Sequence, residues 1–381
     1  MIRRTALTTL AASFAASLAI ITPPQALRAQ RSTFAQIDRF VALEMARQHI
    51  PGIAVGIYKN GRIALVKGYG LANVELDAPV KSATIFQSGS VGKQFTSAAI
   101  MMLMEEGKIG LDDSLPKYFP GAPSTWRGVT IRELLSHTSG LAEYASDSLT
   151  KPGGPLDIRL DFTEEEFVKF IETLPIEFAP GEGWEYRNTN YLLLGAVIRK
   201  VTGSFYGDVL QQRIFKPLGM TSTRIISETD IIPNRAAGYQ LVDGKLKNQD
   251  WVSAAFNTTA DGALYFNVLD LAKWDAALYG NGLLRQESRD AMWTVAKLKN
   301  GQPNAHRYAF AWFVDSINGH RVIEHSGSWQ GFESYIARYV DDKITVVVLM
   351  NLGGADPAVV AHGIAGIYRP ALAPPADSTR R

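Results

Sequence analysis

The sequence predicts an α+β fold in which one antiparallel β-sheet, built from both ends of the chain, is flanked by helices and carries an inserted, mostly helical region. Near the start, IAVGIYKNGRIALVKGYG has two apolar runs around Asn60-Gly61, a dipeptide typical of a tight β-hairpin. Near the end, the runs HRVIEHSG, ESYIARYV and KITVVVLMNL have the composition of strands. The long segment between them shows mainly helical and loop patterns.

Helices are expected on both sides of this sheet. The segment STFAQIDRFVALEMARQHIPG has apolar residues at helical spacing, and DPAVVAHGIAGIYR predicts a closing helix. In the middle, TEEEFVKFIETL begins with the capping box Thr163–Glu166, and NYLLLGAVIRKVTG and LDLAKWDAALYG predict further helices. We therefore expect one catalytic domain over 30–370, with the sheet over about 30–110 and 310–370 and the helical insert over about 111–309.

The two ends of the chain have a different character. Residues 1–29 resemble a cleavable signal peptide, because Arg3 and Arg4 precede an apolar run that is short for a membrane span. This predicts a periplasmic or secreted protein with no stable membrane anchor after cleavage, and an uncleaved anchor helix is the alternative. Residues 371–381 are rich in proline and small residues and predict a disordered tail.

Composition excludes several classes of function. Hydrophobic residues make up 46% and charged residues 20% of the 381 residues, as in a soluble globular protein. The net charge of +2, without a basic block near aromatic residues, argues against nucleic-acid binding. The absence of cysteine excludes a thiol nucleophile and a zinc–thiolate site, and the six histidines lack a metal-binding spacing. We expect neither metal nor cofactor.

A candidate nucleophile lies in IFQSGSVGKQFTSAAIMMLMEEGKI. Ser90 and Lys93 are three residues apart at the start of an apolar helix, where such side chains share one face. Two other Ser-x-x-Lys pairs occur, but Pro116 interrupts Ser114–Lys117 and a loop follows Ser148–Lys151. The position of Ser90 at the head of a helix therefore distinguishes it from the other two serines.

This geometry would suit nucleophilic catalysis. A serine hydroxyl reacts well only when a neighbouring base takes its proton. Lysine can be that base when burial and nearby positive charge lower its pKa from about 10.4. Backbone N–H groups at a helix N-terminus can also stabilise a developing oxyanion. The alternative is that Ser90 caps the helix and that Lys93 is a solvated residue of its first turn.

The order of three motifs resembles the serine β-lactamase and penicillin-binding protein superfamily, specifically its class C β-lactamase-like branch. After SVGK, the chain has YRN at 186–188, one of four Tyr-x-Asn pairs, and then HSG at 325–327. Further similar blocks are LLSHTSGL, FAPGEGWEYRNTNYLLLGAVIRKVTG, KPLGMTSTR and HSGSWQGF. The resemblance extends from about Phe34 to Tyr368 and implies a β-lactamase/transpeptidase-like fold.

The resemblance also implies a role for each motif residue. Ser90 would be the acylated nucleophile, and Lys93 would accept or relay its proton. Tyr186 would share that proton, deliver it to the leaving group and help to activate water for deacylation. Asn188 resembles the asparagine that hydrogen-bonds the lysine or a substrate amide. The backbone N–H groups of Ser90 and Ser328 would form the oxyanion hole.

The third motif departs from the family pattern at His325, where most β-lactamases have lysine. The strand that carries His325, Ser326 and Gly327 would lie beside the substrate. Because histidine holds no permanent charge near neutrality, this change weakens the recognition of a β-lactam carboxylate. Arg187 in the second motif would contact an acidic substrate or face solvent. His137 in SHTSG is expected to make a structural hydrogen bond in its loop.

These expectations converge on an exported serine hydrolase that cleaves an amide or ester through an acyl-enzyme on Ser90. An esterase or D-amino-acid peptidase is favoured over a class C type β-lactamase, and the substrate would be a small molecule or peptide, with the cell wall as one source. Two other classes stay open: a non-catalytic cell-wall ligand-binding homologue, and a Ser-His-Asp esterase that uses His137 or His325. Trp184 and Trp329 flank the motifs and would either line the cleft or fill the junction.

Overall fold

The computed structural model describes residues 25–375, with side chains from residue 30. The predicted signal peptide lies outside the described residues, except for the first residues of helix α1 (Gln25–Gln48). None of the helices in residues 25–375 combines the length and apolar character that a bilayer crossing requires.

A seven-stranded antiparallel sheet organises the fold, in the order β3-β2-β1-β12-β11-β10-β9. Two small sheets, β4-β8-β5 and β6-β7, lie outside it. The strands are β1 Gly52–Lys59, β2 Arg62–Asn73, β3 Ala78–Pro79, β4 Phe86–Gln87, β5 Arg224–Ile225, β6 Tyr239–Val242, β7 Lys245–Asn248, β8 Leu264–Phe266, β9 Phe313–Ile317, β10 His320–Trp329, β11 Phe332–Tyr339 and β12 Ile344–Met350.

Helices cover both faces of the large sheet. After α1, they are α2 Lys93–Glu105, α3 Ile131–Ser136, α4 Asp147–Thr150, α5 Glu164–Ile171, α6 Asn188–Thr202, α7 Tyr206–Leu210, α8 Lys216–Leu218, α9 Val268–Ala277, α10 Gln286–Met292 and α11 Pro357–Tyr368. The predicted capping box at Thr163 and Glu166 is present at the start of α5. Helix α6 ends at Gly203 in the left-handed conformation, as its sequence predicts.

The two ends of the chain meet in the middle of the sheet. Strand β1 pairs with β12 from Ile53↔Met350 to Lys59↔Ile344, and with β2 on its other edge. The β1–β2 turn is the predicted Asn60-Gly61, where both residues have positive φ, 53° and 68°. The predicted fold class, an antiparallel sheet built from both termini and flanked by helices, is confirmed.

Each face of the sheet has its own apolar core. One core lies under α1 and α11 and includes alternate residues of the central strands, such as Ile53, Val55 and Val346. The other core packs the opposite face against the helical region and is centred on α2, α6 and α9, with Phe95, Leu193 and Trp274 buried in it. Met101 is buried in this second core, which gives it a packing role.

Three features differ from the sequence-based expectation. Strand β9 adds a fourth strand to the C-terminal part of the sheet, and the insert contains β5 to β8 as well as helices. The predicted disordered tail begins with ordered residues, because Pro370–Leu372 forms a 3-10 turn and Leu372 is fully buried in the core beneath α11. A single apolar residue among prolines gave no sign of this contact. Residues 376–381 lie outside the described residues.

Candidate active site

Ser90 lies in a short 3-10 helix, Gly89–Gly92, that runs directly into α2. In such a helix residues three apart are nearly eclipsed, so the side chains of Ser90 and Lys93 point the same way. No side-chain hydrogen bond caps either helix, and the flanking cap residues are Ser88 and Gly92. The alternative in which Ser90 is only a helix cap is therefore wrong.

Lys93 is fully buried and bonds directly to the candidate nucleophile. Its Nζ lies 2.9 Å from Ser90 Oγ, 2.8 Å from Asn188 Oδ1 and 2.6 Å from the backbone oxygen of Asp261. Burial lowers the pKa of Lys93 from 10.5 to about 8, although the carboxyl groups of Asp261 and Glu143 oppose this shift. The alternative of a solvated first-turn lysine is also wrong.

Tyr186 completes the surroundings of the Lys93 amine. The Nζ atom lies 5.0 Å from the centroid of the Tyr186 ring, within cation–π range. The phenol oxygen is buried and has the Ser90 hydroxyl as a polar neighbour, although the two groups make no hydrogen bond of regular geometry. Burial raises the pKa of the phenol, while the interaction with the Ser90 hydroxyl lowers it. The phenol therefore lies beside the candidate nucleophile.

The backbone of Asn188 is held in place by the carboxyl group of Glu143. It is the first residue of α6, and its backbone N–H donates to Glu143 Oε2 at 2.5 Å. The other oxygen of Glu143 accepts from the backbone N–H of Ala145 at 2.8 Å. Burial raises the pKa of Glu143. The carboxyl group thus anchors the turn that presents the Asn188 side chain to Lys93.

The third motif lies on β10 beside the serine. Gln330 and Gly331, both with positive φ, form a two-residue turn that closes the β10–β11 hairpin at Trp329↔Phe332. In an antiparallel ladder, hydrogen-bonded pairs of residues alternate with non-hydrogen-bonded pairs. Trp329↔Phe332 closes the two-residue turn as a hydrogen-bonded pair, so the next pair, Ser328↔Glu333, is not hydrogen-bonded and the backbone N–H of Ser328 faces away from β11. Strand β9 pairs with β10 only as far as Glu324, which leaves the edge at 325–329 without a strand partner among the described residues.

Glycine permits the close approach of β10 to the serine turn. A Cβ atom at Gly327 would lie 2.2 Å from the backbone oxygen of Ser88 and 2.7 Å from the nitrogen of Ser90. A Cβ atom at Gly89, whose φ is 46°, would lie 2.4 Å from the nitrogen of Ser328. The two backbone N–H groups predicted to form an oxyanion hole, of Ser90 and Ser328, are therefore brought together.

His325 points from β10 into an aromatic cluster. Its Nε2 accepts from the hydroxyl of Tyr308 at 3.0 Å, and its Nδ1 lies 2.5 Å from the backbone oxygen of Ser326. Its ring is 6.0 Å from that of Tyr186, centroid to centroid. Burial lowers the pKa of His325 to about 3, although the Ser326 carbonyl opposes the shift. The imidazole is neutral near pH 7 and makes no hydrogen bond to Ser90.

His137 has the structural role that the sequence led us to expect. It ends α3 in the left-handed conformation, and its Nδ1 faces the backbone N–H of Arg187 at 3.3 Å and the amide of Asn190 at 3.0 Å. Its ring packs 4.3 Å from that of Tyr186, centroid to centroid. His137 therefore supports the loop that carries the second motif.

Arg187 and Trp184 lie outside the cleft. The guanidinium group of Arg187 pairs with Glu177 at 2.7 Å, and Arg187 is not among the residues that line the cleft. Trp184 stacks on His306 at 4.1 Å between ring centroids. Trp329, by contrast, lines the cleft.

A cleft of about 110 Å³ lies in front of Ser90. Its lining is mixed, with polar residues such as Asn188 and Asp261 and apolar residues such as Ile158 and Phe256. Its lining residues are Gly89, Ser90, Tyr144, Ala145, Thr150, Ile158, Asn188, Phe256, Thr259, Asp261, Gly262, Ala263, Ser328 and Trp329. Within residues 25–375 no group of three His, Asp or Glu side chains could hold a metal ion.

Sequence reasoning missed three residues of this site: Glu143, Asp261 and Tyr308. The backbone oxygen of Asp261 accepts a hydrogen bond from Lys93 Nζ. Any residue could supply such an oxygen, so no side-chain pattern identified Asp261. Its position in the loop segment TTADG just before β8 was the one available signal. Glu143 follows the HTSG block, and Tyr308 lies far from every motif.

Comparison with known proteins determines the family. A protein-family model described as Beta-lactamase matches residues 37–367, which is most of the chain. The chain belongs to the beta-lactamase family. The resemblance inferred from the order of SVGK, YRN and HSG is thereby confirmed.

Two curated relatives of this beta-lactamase family chain are penicillin-binding protein 4* of Bacillus subtilis (strain 168) and protein flp of Staphylococcus aureus (strain MRSA252). The first is 31% identical over 307 residues, which cover 77% of this chain and 66% of the relative. The second is 30% identical over 341 residues, which cover 86% of this chain and 65% of the relative. The chain spans about two thirds of the length of these relatives.

Solved structures show the same fold. The octameric penicillin-binding protein homologue from Pyrococcus abyssi has a TM-score of 0.77 at 30% identity, covering 88% of this chain and 77% of that chain. The D-amino acid amidase from Ochrobactrum anthropi SV3 complexed with L-phenylalanine amide has a TM-score of 0.72 at 24% identity, covering 90% and 97%. At that identity the second similarity concerns the fold alone.

Proposed function

We propose that this protein is a serine hydrolase that cleaves an amide or ester through an acyl-enzyme on Ser90. The observation that carries the proposal is the hydrogen bond between the fully buried amine of Lys93 and the Ser90 hydroxyl. With a pKa of about 8, this lysine is partly neutral near pH 7 to 8 and can accept a proton. A typical solvated lysine could not do so at this pH.

The geometry supports the following sequence of steps. Ser90 Oγ attacks the substrate carbonyl carbon while the neutral Lys93 takes its proton. The carbonyl oxygen becomes an oxyanion that accepts from the backbone N–H groups of Ser90 and Ser328. The proton then passes to the leaving amine or alcohol through Tyr186, and the bond to the leaving group breaks. In deacylation, Lys93 and Tyr186 take a proton from a water molecule, whose oxygen attacks the acyl carbon. The bond to Ser90 Oγ breaks, this oxygen regains the proton, and the carboxylic acid is released.

A Ser-His-Asp mechanism is less well supported. The Nδ1 of His137 is engaged by Arg187 and Asn190, and the Nε2 of His325 by Tyr308. Neither imidazole hydrogen-bonds the Ser90 hydroxyl, whose partner is Lys93. A lysine base therefore fits the arrangement better than a histidine base.

An esterase or amide hydrolase is favoured over a β-lactamase or carboxypeptidase. Substrates of the latter two classes carry a carboxylate next to the scissile bond, and a cation in the site would be needed to bind it. Among the described residues that line the cleft, none is lysine or arginine. His325 is neutral and buried, and Arg187 is paired with Glu177.

A non-catalytic cell-wall ligand-binding protein is the competing proposal. The buried lysine argues against it, because a protein that only binds has no need to maintain a desolvated amine on a serine hydroxyl. We further propose that the protein acts in the periplasm or is secreted, on the basis of the signal-like sequence at 1–29. Cell fractionation with an antibody against the protein tests this location.

The activity proposal is tested by labelling with a fluorophosphonate or a labelled penicillin, followed by peptide mapping. We expect one labelled peptide containing Ser90 and no labelling in Ser90→Ala. Turnover of p-nitrophenyl acetate should fall to the background rate in the same variant. Labelling of another residue, or undiminished turnover in Ser90→Ala, would contradict the proposal. Ser148→Ala, in the Ser-x-x-Lys pair outside the cleft, is the matched control.

A further inference from the structure

We propose that the Asp261 carboxylate binds an ammonium group of the substrate, so that the preferred substrates are amides or esters of apolar amino acids with a free amine. This inference rests on the proposed function and adds the substrate class. Asp261 lines the same cleft as Ser90, and its side chain is only partly buried.

Both oxygens of the Asp261 carboxylate can accept a further hydrogen bond. Oδ2 accepts from the hydroxyl of Tyr144 at 2.8 Å, and Oδ1 accepts from the hydroxyl of Thr259 at 2.6 Å. These two donors are neutral, and Asp261 forms no ion pair with any side chain in residues 30–375. Each carboxylate oxygen has about two acceptor positions, so one on each remains for a ligand.

The backbone of Asp261 fixes this carboxylate relative to the reacting atoms. The backbone oxygen accepts from Lys93 Nζ at 2.6 Å, and Lys93 in turn bonds Ser90 at 2.9 Å. The carboxylate and the backbone oxygen that binds Lys93 thus belong to the same residue, which keeps the carboxylate close to the base of the proposed reaction. In the substrate, an ammonium group on the α-carbon is likewise close to the scissile carbonyl, because the α-carbon is bonded to the carbonyl carbon.

The charge of the cleft favours a cation over an anion. Among its described lining residues, Asp261 carries the only formal charge. The nearby Glu143 does not line the cleft, and both of its oxygens accept backbone N–H groups. Lys93 is near Asp261 but bonds its backbone oxygen and forms no ion pair with its carboxylate. A carboxylate without an ion-pair partner attracts an ammonium ion and repels a carboxylate, which gives selection by charge.

The apolar part of the lining explains why the rest of the substrate would be apolar. Ile158, Phe256 and Trp329 also line the cleft, and the indole N–H of Trp329 donates to Asn257 Oδ1 at 2.7 Å, which fixes the ring. An apolar side chain placed against these residues would be removed from water, which favours binding. The cleft thus combines one anchor for a cation with one surface for a hydrophobic side chain.

Binding of an ammonium group would also assist the base. Asp261 raises the pKa of Lys93, and this effect would be reduced once a cation neutralises the carboxylate. The neutral amine that accepts the Ser90 proton would then be more populated. An amine-bearing substrate would therefore gain in the acylation step as well as in binding.

The test compares phenylalanine p-nitroanilide, as separate D and L enantiomers, with 3-phenylpropanoic acid p-nitroanilide, which lacks only the amine. We expect the better enantiomer to have a kcat/KM at least about tenfold above the amine-free compound, and Asp261→Asn to reduce this ratio by about tenfold or more. Asp261→Glu should retain the preference. Glu165→Gln makes the same change of charge at an exposed residue outside the cleft and should leave the ratio as it is.

A second measurement, protection of Ser90 from labelling, does not require turnover and therefore applies even if the anilides are hydrolysed slowly. Phenylalanine amide should protect Ser90 of the wild type from fluorophosphonate labelling better than 3-phenylpropanamide does, and Asp261→Asn should lose this difference. An equal ratio and equal protection in wild type and Asp261→Asn would overturn the role of Asp261 while leaving the hydrolase proposal intact. If the wild type fails to react with any activated ester or fluorophosphonate at Ser90, the proposed function itself fails.

Discussion

The amine of Lys93 lies 2.9 Å from the hydroxyl of Ser90, and the lysine side chain is fully buried. Removing an ammonium group from water is costly unless the group becomes neutral, so burial and proton transfer are linked at this position. The consequences of this pair can be measured separately for activity, pH dependence and stability.

Replacing Lys93 by methionine should abolish most of the activity while preserving the fold. Methionine fills a similar volume but cannot accept the Ser90 proton, so we expect kcat/KM for an activated ester to fall by at least about 100-fold. The loss should be greatest in the acylation step, measured by stopped-flow release of p-nitrophenol. Lys151→Met, an exposed lysine in a Ser-x-x-Lys pair outside the cleft, should have wild-type kinetics. Equal kinetics of Lys93→Met and wild type would exclude the lysine base.

Activity should increase with pH through a midpoint near 8. Lys93 accepts a proton only when neutral, and its pKa is about 8, so log kcat/KM should rise with unit slope below that pH and level off above it. His325, with a pKa of about 3, should add no inflection between pH 5 and 9. A midpoint near 6.5 that disappears in a histidine variant would point instead to an imidazole base.

The same lysine should make stability depend on pH. Its pKa is about 8 in the folded protein and near 10.5 in the unfolded chain, so the unfolded chain binds more protons between these values. The contribution of Lys93 to the free energy of unfolding therefore increases as pH rises from about 8 to 10.5. Urea titrations at several pH values give the free energies of unfolding of the wild type and of Lys93→Met. The difference between these two free energies should become smaller above pH 8.

Tyr186→Phe should separate catalysis from stability. The phenol oxygen is buried and makes no hydrogen bond of regular geometry among the described residues, its neighbour being the Ser90 hydroxyl, so its removal should change the free energy of unfolding by less than about 1 kcal/mol. Loss of the proton relay should lower kcat by about 100-fold or more. Tyr308→Phe is the comparison, because it removes a real hydrogen bond to His325 and should cost about 1 kcal/mol of stability. A large stability loss in Tyr186→Phe would show that the hydroxyl is structural.

Gly327→Ala should misplace the two proposed oxyanion donors. The new Cβ would clash with the backbone of Ser88 and Ser90, so β10 or the serine turn must move. We expect kcat to fall by about 100-fold or more, with a lower melting temperature. Gly121→Ala, where a Cβ meets no atom within 4 Å, should match the wild type in both measurements. Full activity in Gly327→Ala would exclude the backbone N–H groups of this turn as the oxyanion site.

The buried ion pair between Arg338 and Asp275 should matter for stability alone. Arg338 Nε donates to Asp275 Oδ1 at 2.8 Å, and both side chains are shielded from solvent where α9 meets the sheet. Asp275→Asn should lower the free energy of unfolding by about 3–5 kcal/mol because it leaves a buried charge unpaired. Asp112→Asn, in an exposed pair with Arg132, should cost less than about 1 kcal/mol. Similar losses in the free energy of unfolding for Asp275→Asn and Asp112→Asn, measured by urea titration, would contradict this prediction.

The parts of the fold that the sequence predicted are those determined by local chemistry. The Asn60-Gly61 turn, the Thr163–Glu166 capping box and the glycine after α6 were each recognisable within a few residues. Strands β5 to β8 are short and were missed, because two to four residues carry too little periodicity to identify a strand. Strand β9 has five residues, but only Val314 among them is buried, so its sequence lacks an apolar run.

The candidate site was predictable only where a side chain belongs to a recognisable motif. Ser90, Lys93, Tyr186 and Asn188 belong to recognisable motifs, and the structure places them together. Asp261 contributes to Lys93 through a backbone oxygen, and that contact depends on a loop conformation that no residue pattern specifies. The structure places the ring of His325 6.0 Å from that of Tyr186, and its hydrogen bond to Tyr308 depends on tertiary packing.

The pairing of β1 with β12 has a consequence for how the chain is synthesised. The first hairpin leaves the ribosome long before Ile344–Met350 has been translated, so one edge of β1 has no neighbour during most of elongation. Seven of the eight residues of this strand are buried in the finished protein. Nascent chains that terminate before β12 would expose this apolar edge and should aggregate or be captured by chaperones, so native pairing of β1 must await the synthesis of β12.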